Sequence, residues 1–167
     1  IQTGNDPRRF VEDVLERLRD LVIVDAVEAD APAVLRGVPA DEIARMAADG
    51  GTDIGAVVTF TGLCRSEKGV LAALELEHYP GMAEAEMERI AREAEGRWPI
   101  DALTIIHRYG KIVPGEGIVL VLAASAHRAA AFEAAEFLMD YLKTRAPFWK
   151  KEHRKDGSSG DWVAAKD

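Results

Sequence analysis

The chain has 167 residues, of which 48% are hydrophobic and 30% charged, and its formal net charge is −8. These totals are typical of one globular domain, and the acidic balance argues against a general nucleic-acid binder, which is usually basic. No apolar run approaches the roughly 20 residues that cross a bilayer, and the start "IQTGNDPRRF" lacks a secretory pattern, so we expect no membrane partner. The single cysteine, Cys64, favours a reducing compartment, here the cytoplasm.

The first 50 residues are predicted to form a helical extension. In "PRRFVEDVLERLRDLV" (7–22) the apolar residues recur at helical spacing, and "ADEIARMAADGG" (40–51) is a shorter helix ended by two glycines. We therefore predict an extension over residues 1–50 and a main domain over residues 51–167. The extension is interpreted as a surface helix, with dimer packing or partner docking as the alternative.

From residue 55 onward, strands and helices alternate. The apolar and β-branched runs predict six strands, and two longer segments with helical spacing predict helices. In chain order these are strands 55–62 and 70–79, helix 80–98, strands 102–110 and 118–125, helix 127–145, and strands 147–153 and 161–165. This order predicts an α+β fold in which helices pack on a mainly antiparallel sheet.

The segment "KTRAPFWKKEHRK" contains six cations and one anion, which is unusual in an acidic chain. Lys143 closes the second helix, and Lys150 and Lys151 point to opposite faces of the following strand. Pro147 and Phe148 predict a stiff turn that holds two ammonium groups at a set separation. Clustered amines of this kind can serve as acids, bases or nucleophiles. The alternative is that these cations only complement the dipole at a helix C-terminus.

Two further cationic positions are candidates for binding an anion. His127 and Arg128 follow Ser125 at the start of the second helix, where free N–H groups attract anions, although Ser125 can instead simply cap the helix. Arg65 follows the first strand and is either a solvated charge or a phosphate ligand. From the residues alone we predict an anion pocket made of Arg65, Arg128, Lys143 and Lys150. The histidines show no metal-ligand spacing and the glycines no nucleotide motif, so no metal or cofactor is expected.

Five motifs occur in one order: "GAVVTFTGLCR", "LELEHYPGMAE", "RWPIDALTIIHRYGKIVPGE", "SAHRAAAFEAAEFLMDYLKTRAPFWKKE" and "GDWVAAK". Together, over residues 52–166, they resemble the large, catalytic subunit of molybdopterin synthase. The resemblance implies an α/β hammerhead-type fold and a homodimer within a heterotetramer. It also implies a small ubiquitin-like sulfur-carrier partner whose Gly-Gly C-terminus carries a thiocarboxylate. The implied reaction is a sulfur transfer to cyclic pyranopterin monophosphate (precursor Z), which yields the dithiolene of the molybdenum cofactor.

The resemblance also implies a role for each candidate residue. Lys143 and Lys150 resemble catalytic lysines, while Phe60 and Met139 resemble residues that line the pocket for the partner's tail. Substrate binding is implied for four residues, with His127 and Arg128 acting across the dimer interface: Arg65, His127, Arg128 and Lys166. Lys166 stands where arginine is familiar, which keeps the charge but loses the bidentate fork. Cys64 replaces a more usual aliphatic residue, so we expect it to pack.

Two other classes of function remain open at this stage. One is a module that docks a ubiquitin-like tail without catalysis, and the other is a simple binder of nucleotides or other phosphates. The intact Lys143 and Lys150 favour the enzyme over the docking module.

Overall fold

The computed structural model describes residues 53–164, so the predicted extension and Lys166 lie outside the described residues. The described chain forms seven strands and two helices. They are β1 (Ala56–Leu63), β2 (Leu71–His78), α1 (Met82–Arg97), β3 (Ala102–His107), β4 (Gly110–Ile112), β5 (Gly117–Ser125), α2 (Arg128–Thr144), β6 (Phe148–Arg154) and β7 (Val163–Ala164). The α+β class is confirmed. Within residues 53–164, neither helix is long and apolar enough to cross a membrane.

The strands form two antiparallel sheets. The first has three strands in the order β1-β5-β3, and the second has four in the order β4-β2-β6-β7. The predicted strand 102–110 is wrong in one respect, because it is two strands that belong to different sheets. The chain leaves the first sheet at Arg108 and enters the second at Gly110, whose φ of 78° glycine adopts without strain.

The larger core lies between the two helices and the three-stranded sheet. Helix α2 packs against β1 and β5, and α1 packs against α2. Met87 and Ile90 of α1 meet Leu138 of α2 and Ile105 and Val121 of the sheet, and all five are at most 1% exposed. Each such side chain stabilises the fold by about 1.5–3 kcal/mol through burial.

Helix α1 is reinforced along its exposed side. Gly81 precedes the helix, and its N–H donates a 2.6 Å hydrogen bond to Glu84 in the first turn. Arg89 pairs with Glu86 and Glu93 at 2.8 and 3.0 Å, one turn before and after it. These local bonds hold the outer face of α1 while its apolar face covers the core.

A second and much smaller core lies under the four-stranded sheet. Its buried side chains are Cys64, Leu71, Leu76 and Ile112, with Tyr109 packed against them. Within the described residues, the chain passes between the two halves at five short segments. These are residues 64–70, 79–81, 108–109, 113–116 and 145–147.

Candidate functional site

The turn between α2 and β6 is held by backbone hydrogen bonds. The N–H groups of Arg145 and Ala146 both donate to the carbonyl of Tyr141, at 2.8 and 3.2 Å. The N–H of Phe148 donates to the carbonyl of Ala146 at 2.8 Å, which closes the bend around Pro147. The helix ends here because proline disfavours helical backbone in the residue before it. Two residues that lie on either side of this turn therefore have a fixed backbone separation.

Phe148 anchors the turn between the two sheets. Its ring is buried and stacks on the His107 ring at 3.9 Å between centroids, with an angle of 17° between the planes. The ring of His78, the cross-strand partner of Phe148, lies 5.9 Å from it at an angle of 37° between the planes. His107 belongs to β3 of the first sheet and His78 to β2 of the second, so Phe148 links both sheets. The predicted role of Phe148 as an anchor is confirmed.

His107 is a neutral member of this stack. Burial lowers the pKa of His107 to about 4, because the charged imidazolium loses its hydration in the core. Its Nδ1 lies 2.9 Å from the carbonyl oxygen of Arg108. Since a carbonyl only accepts, Nδ1 carries the proton of the neutral ring.

The two predicted catalytic lysines lie on either side of the turn. Lys143 is exposed in the last turn of α2, and Lys150 is half-buried in β6. Lys150 is the direct cross-strand partner of Leu76, whereas Lys151 pairs with Glu75. The prediction that Lys150 and Lys151 point to opposite faces is therefore confirmed. Lys150 shares its face with Phe148, the anchor of the turn.

Helix α2 carries candidate residues at both of its ends. Arg128 opens the helix and Lys143 lies in its last turn, so their backbones are about 22 Å apart along the helix axis. The predicted anion pocket containing both residues is therefore wrong for a single chain, because a small anion cannot span that distance. His127 is the N-cap residue and, like Arg128, is exposed.

Ser125 is not the cap of α2. It is fully buried, and its hydroxyl donates to the carbonyl of Pro99 at 2.7 Å while accepting the N–H of His127 at 3.2 Å. The hydroxyl thus ties the end of β5 to the segment before β3. This bond fixes the backbone from which His127 and Arg128 project.

Arg65 lies in the exposed loop that joins β1 to β2. Its side chain is 84% exposed, and its guanidinium pairs with Glu67 at 3.0 Å. The preceding residue, Cys64, is buried, and burial raises the pKa of its thiol. A protonated thiol is a poor nucleophile, so the structure supports the expected packing role for Cys64.

Phe60 and Met139 lie on surfaces that face each other. The register pairs Phe60 with Val121, which places Phe60 on the face of the sheet that α2 covers. Its side chain is still 42% exposed. Met139, one turn before Lys143, is half-buried against the larger core. This arrangement leaves a partly open apolar surface beside α2.

An ion pair between the buried Arg108 and the partly buried Glu116 was not predicted from the sequence. An arginine directly after the apolar run "ALTIIH" and a glutamate inside the turn "PGEG" were the available signals. The contacts of Phe148 with His107 and His78 were not predicted either. No group of three or more metal-ligating side chains occurs within the described part of the chain.

Comparisons with known proteins give the family. The family model described as "MoaE protein" matches residues 37–145, a match that begins inside the predicted extension. The molybdopterin synthase catalytic subunit of Mesorhizobium japonicum is 72% identical over 128 residues, covering 77% of this chain and 80% of that protein.

Two solved structures extend the likeness to the fold. Molybdopterin cofactor biosynthesis protein E from Burkholderia multivorans matches with a TM-score of 0.69 and 43% identity, covering 89% of this chain and 90% of that one. Molybdopterin synthase from Staphylococcus aureus matches with a TM-score of 0.65 and 31% identity, covering 86% and 95%. On these grounds the chain belongs to the MoaE family of molybdopterin synthase catalytic subunits, which are enzymes of molybdopterin biosynthesis.

Proposed function

We propose that this enzyme transfers sulfur from the Gly-Gly thiocarboxylate of a small ubiquitin-like subunit to precursor Z and so forms the molybdopterin dithiolene. The observation that carries the proposal is the anchored turn with Lys143 on one side and Lys150 on the other. The relatives are named catalytic subunits, a name that implies a second subunit as partner. The free, buried thiol of Cys64 is compatible with a reducing compartment, which we take to be the cytoplasm.

The two lysines supply the proton transfers that the reaction needs. Each transfer forms a carbon–sulfur bond on the pterin side chain and leaves the tail as a carboxylate, with water supplying the oxygen. Lys143, at the open end of α2, lies beside the thiocarboxylate and supports the departure of sulfur. Lys150 acts as acid or base, or stabilises charge, as the cyclic phosphate opens. A rigid bend between them suits this role because catalysis depends on held geometry.

A second protomer completes the substrate site. Arg128 and Lys143 lie too far apart on one helix to hold one small anion, so His127 and Arg128 of one copy serve the lysines of the other. Arg65 and Lys166 add positive charge for the phosphate and the pterin. This arrangement is a homodimer within a heterotetramer, in which each active site contains residues from both large subunits.

The partner's tail approaches along the surface between β1 and α2. Phe60 and Met139 offer apolar contacts there, and Lys143 lies one turn beyond Met139. An extended Gly-Gly tail has no side chains of its own, so a narrow channel beside these residues would admit it while excluding bulkier termini.

The test is turnover of precursor Z with the thiocarboxylated small subunit, read as fluorescence of oxidised molybdopterin. Lys143→Ala and Lys150→Ala should each lower turnover by roughly 100-fold or more, the usual contribution of a proton-transfer group. Lys151→Ala is the matched control because it removes the same charge from the opposite face of β6, and it should stay within about threefold of the native enzyme. Near-native product formation by folded Lys143→Ala protein would remove Lys143 from the mechanism. Preferential binding of common nucleotides over precursor Z would instead favour a simple phosphate binder.

A further inference from the structure

Arg108 is a buried arginine at the point where the chain passes from β3 to β4. Its side chain is 7% exposed, and its Nη1 donates a 2.9 Å hydrogen bond to the carbonyl of Gly117. Both Nη atoms lie 3.4 Å from Oε2 of Glu116, whose side chain is 17% exposed. The same Oε2 accepts the N–H of Val113 at 3.1 Å. Arg108 and Glu116 therefore fix the shape of the turn 113–117.

The ion pair between Arg108 and Glu116 is poorly suited to stabilising the fold. The Nε of Arg108 is buried and has no hydrogen-bond partner among the described residues. Removing charges from water is costly, and a buried ion pair can often be replaced by apolar side chains without loss of stability. A role in holding one backbone arrangement explains the pair better than a role in stability.

The turn fixed by Arg108 and Glu116 also holds the backbone next to Arg65. The N–H of Cys64 donates to the carbonyl of Glu116 at 2.8 Å, and the N–H of Gly115 donates to the carbonyl of Cys64 at 2.8 Å. Cys64 is thus bonded on both sides to the turn and is followed directly by Arg65. Beyond Arg65, Glu67 and Lys68 both adopt positive φ, of 45° and 60°, which non-glycine residues rarely do. The backbone around Arg65 is held in a specific shape on both sides.

We propose that Arg108 and Glu116 are positioning residues for Arg65, through which they set the affinity for the phosphate-bearing substrate. The inference rests on the proposed function, in which Arg65 binds precursor Z. Neither residue touches substrate. The ion pair sets the turn, the turn sets the backbone of Cys64, and Cys64 sets the direction in which the Arg65 side chain leaves the loop. A bidentate contact with phosphate depends strongly on direction, so a small change in the loop weakens it.

The experiment is a double-mutant cycle on KM for precursor Z, with the native small subunit at saturation. Arg65→Ala should raise KM by about 10-fold or more, the loss of a charge-assisted hydrogen bond. Glu116→Gln keeps the shape of the side chain but removes its charge, and it should raise KM by roughly 3- to 10-fold with kcat within about twofold. In the Arg65→Ala background, Glu116→Gln should change KM by less than about twofold, because there is no guanidinium left to position.

Two further variants keep the result interpretable. Glu75→Gln is the matched control. Glu75 is also a partly buried glutamate in an ion pair, with His153 at 2.6 Å, but it lies in β2 and not in the turn 113–117. Its KM should equal that of the native enzyme. Arg108→Lys keeps the charge and loses the fork, so it should repeat the Glu116→Gln result and replace that variant if it fails to fold.

The outcomes separate the two proposals. Suppose that Arg65→Ala raises KM and that Glu116→Gln raises KM by the same factor in the Arg65→Ala background as in the native enzyme. The positioning role is then overturned, while the proposed sulfur transfer stands. If Arg65→Ala leaves KM unchanged while product still forms, Arg65 does not bind substrate and the positioning role falls with it. Failure of the native enzyme to make molybdopterin from precursor Z would overturn the proposed function itself.

Discussion

The two sheets of this protein are stabilised to very different degrees. The three-stranded sheet is covered by two helices, and β5 at its centre is buried on both faces, with Leu120, Val121 and Leu122 all fully buried. The four-stranded sheet has four buried side chains beneath it, and its edge strand β7 is two residues long. The half that contains the three-stranded sheet and the helices buries a large apolar core, whereas the half that contains the four-stranded sheet depends on its contacts with that core.

Three of the candidate functional residues lie in or near the segments where the two halves meet. Lys143 belongs to the well-packed half and Lys150 to the weakly packed one, and Phe148 between them lies in the larger core. Arg65 lies in another of the connecting segments, residues 64–70. The candidate residues are thus supplied by both halves and by a segment that connects them.

The largest expected effect comes from removing the Phe148 ring, which links the two halves. Phe148→Ala removes the ring that joins both sheets and should lower the free energy of unfolding by about 3–5 kcal/mol, as for other buried aromatic residues. Phe132→Ala is the control, because Phe132 is 62% exposed and should cost less than about 0.5 kcal/mol. Chemical denaturation of both variants measures the difference. Equal stabilities would mean that Phe148 does not connect the two halves.

A smaller effect is expected from the protonation of His107, which stacks on Phe148 and makes the free energy of unfolding depend on pH. The pKa of His107 is about 4 in the folded chain and near 6.5 in the unfolded one, so the unfolded chain binds the extra proton first as pH falls. The contribution of His107 is therefore complete above about pH 6.5 and is lost as pH falls toward 4. Between pH 7 and pH 5 this amounts to about 2 kcal/mol of unfolding free energy.

His107→Phe should remove this part of the pH dependence while keeping an aromatic ring against Phe148. Urea denaturation at the two pH values measures it in each protein. His127→Gln is the control, because it replaces an exposed histidine that lies outside the contact with Phe148. A slope unchanged in His107→Phe would show that another group causes it.

The smallest effect tests whether further stability in the larger half alters activity. A Cβ added to Gly96 in α1 would meet no atom within 4 Å beyond its own helix backbone and chain neighbours, so Gly96→Ala should raise the free energy of unfolding by about 0.4–1 kcal/mol. Turnover per folded molecule should stay at the native value. At Gly55 the same change should destabilise, because its Cβ would lie 2.4 Å from the carbonyl oxygen of Ala126. A fall in turnover for Gly96→Ala would argue that activity depends on motion within the larger half.

Local patterns predicted the elements well. Helical spacing located α1 and α2, β-branched runs located β1 and β5, and the two-residue alternation of strands predicted that Lys150 and Lys151 face opposite ways. Pro147 correctly predicted the end of α2. Each of these features depends on neighbours within one turn or one strand, so the sequence contains the necessary information.

Long-range features could not be predicted in the same way. Alternation along a strand does not say which strand it pairs with, so the two sheets and the break at Arg108 were missed. The burial of Arg108 depends on Glu116, eight residues away across a turn. By contrast, the wrong single-chain pocket could have been avoided, since the fifteen helical steps from Arg128 to Lys143 already imply about 22 Å.

The repeated passage of the chain between the sheets limits how this protein can be divided. Five short connections and the Phe148 ring cross the boundary within the described part of the chain, so no cut between residues 53 and 164 yields two pieces that each keep a complete sheet. Exchange of one half with a relative would require both surfaces of the boundary to be redesigned together. The whole segment is therefore the smallest module that recombination could transfer intact.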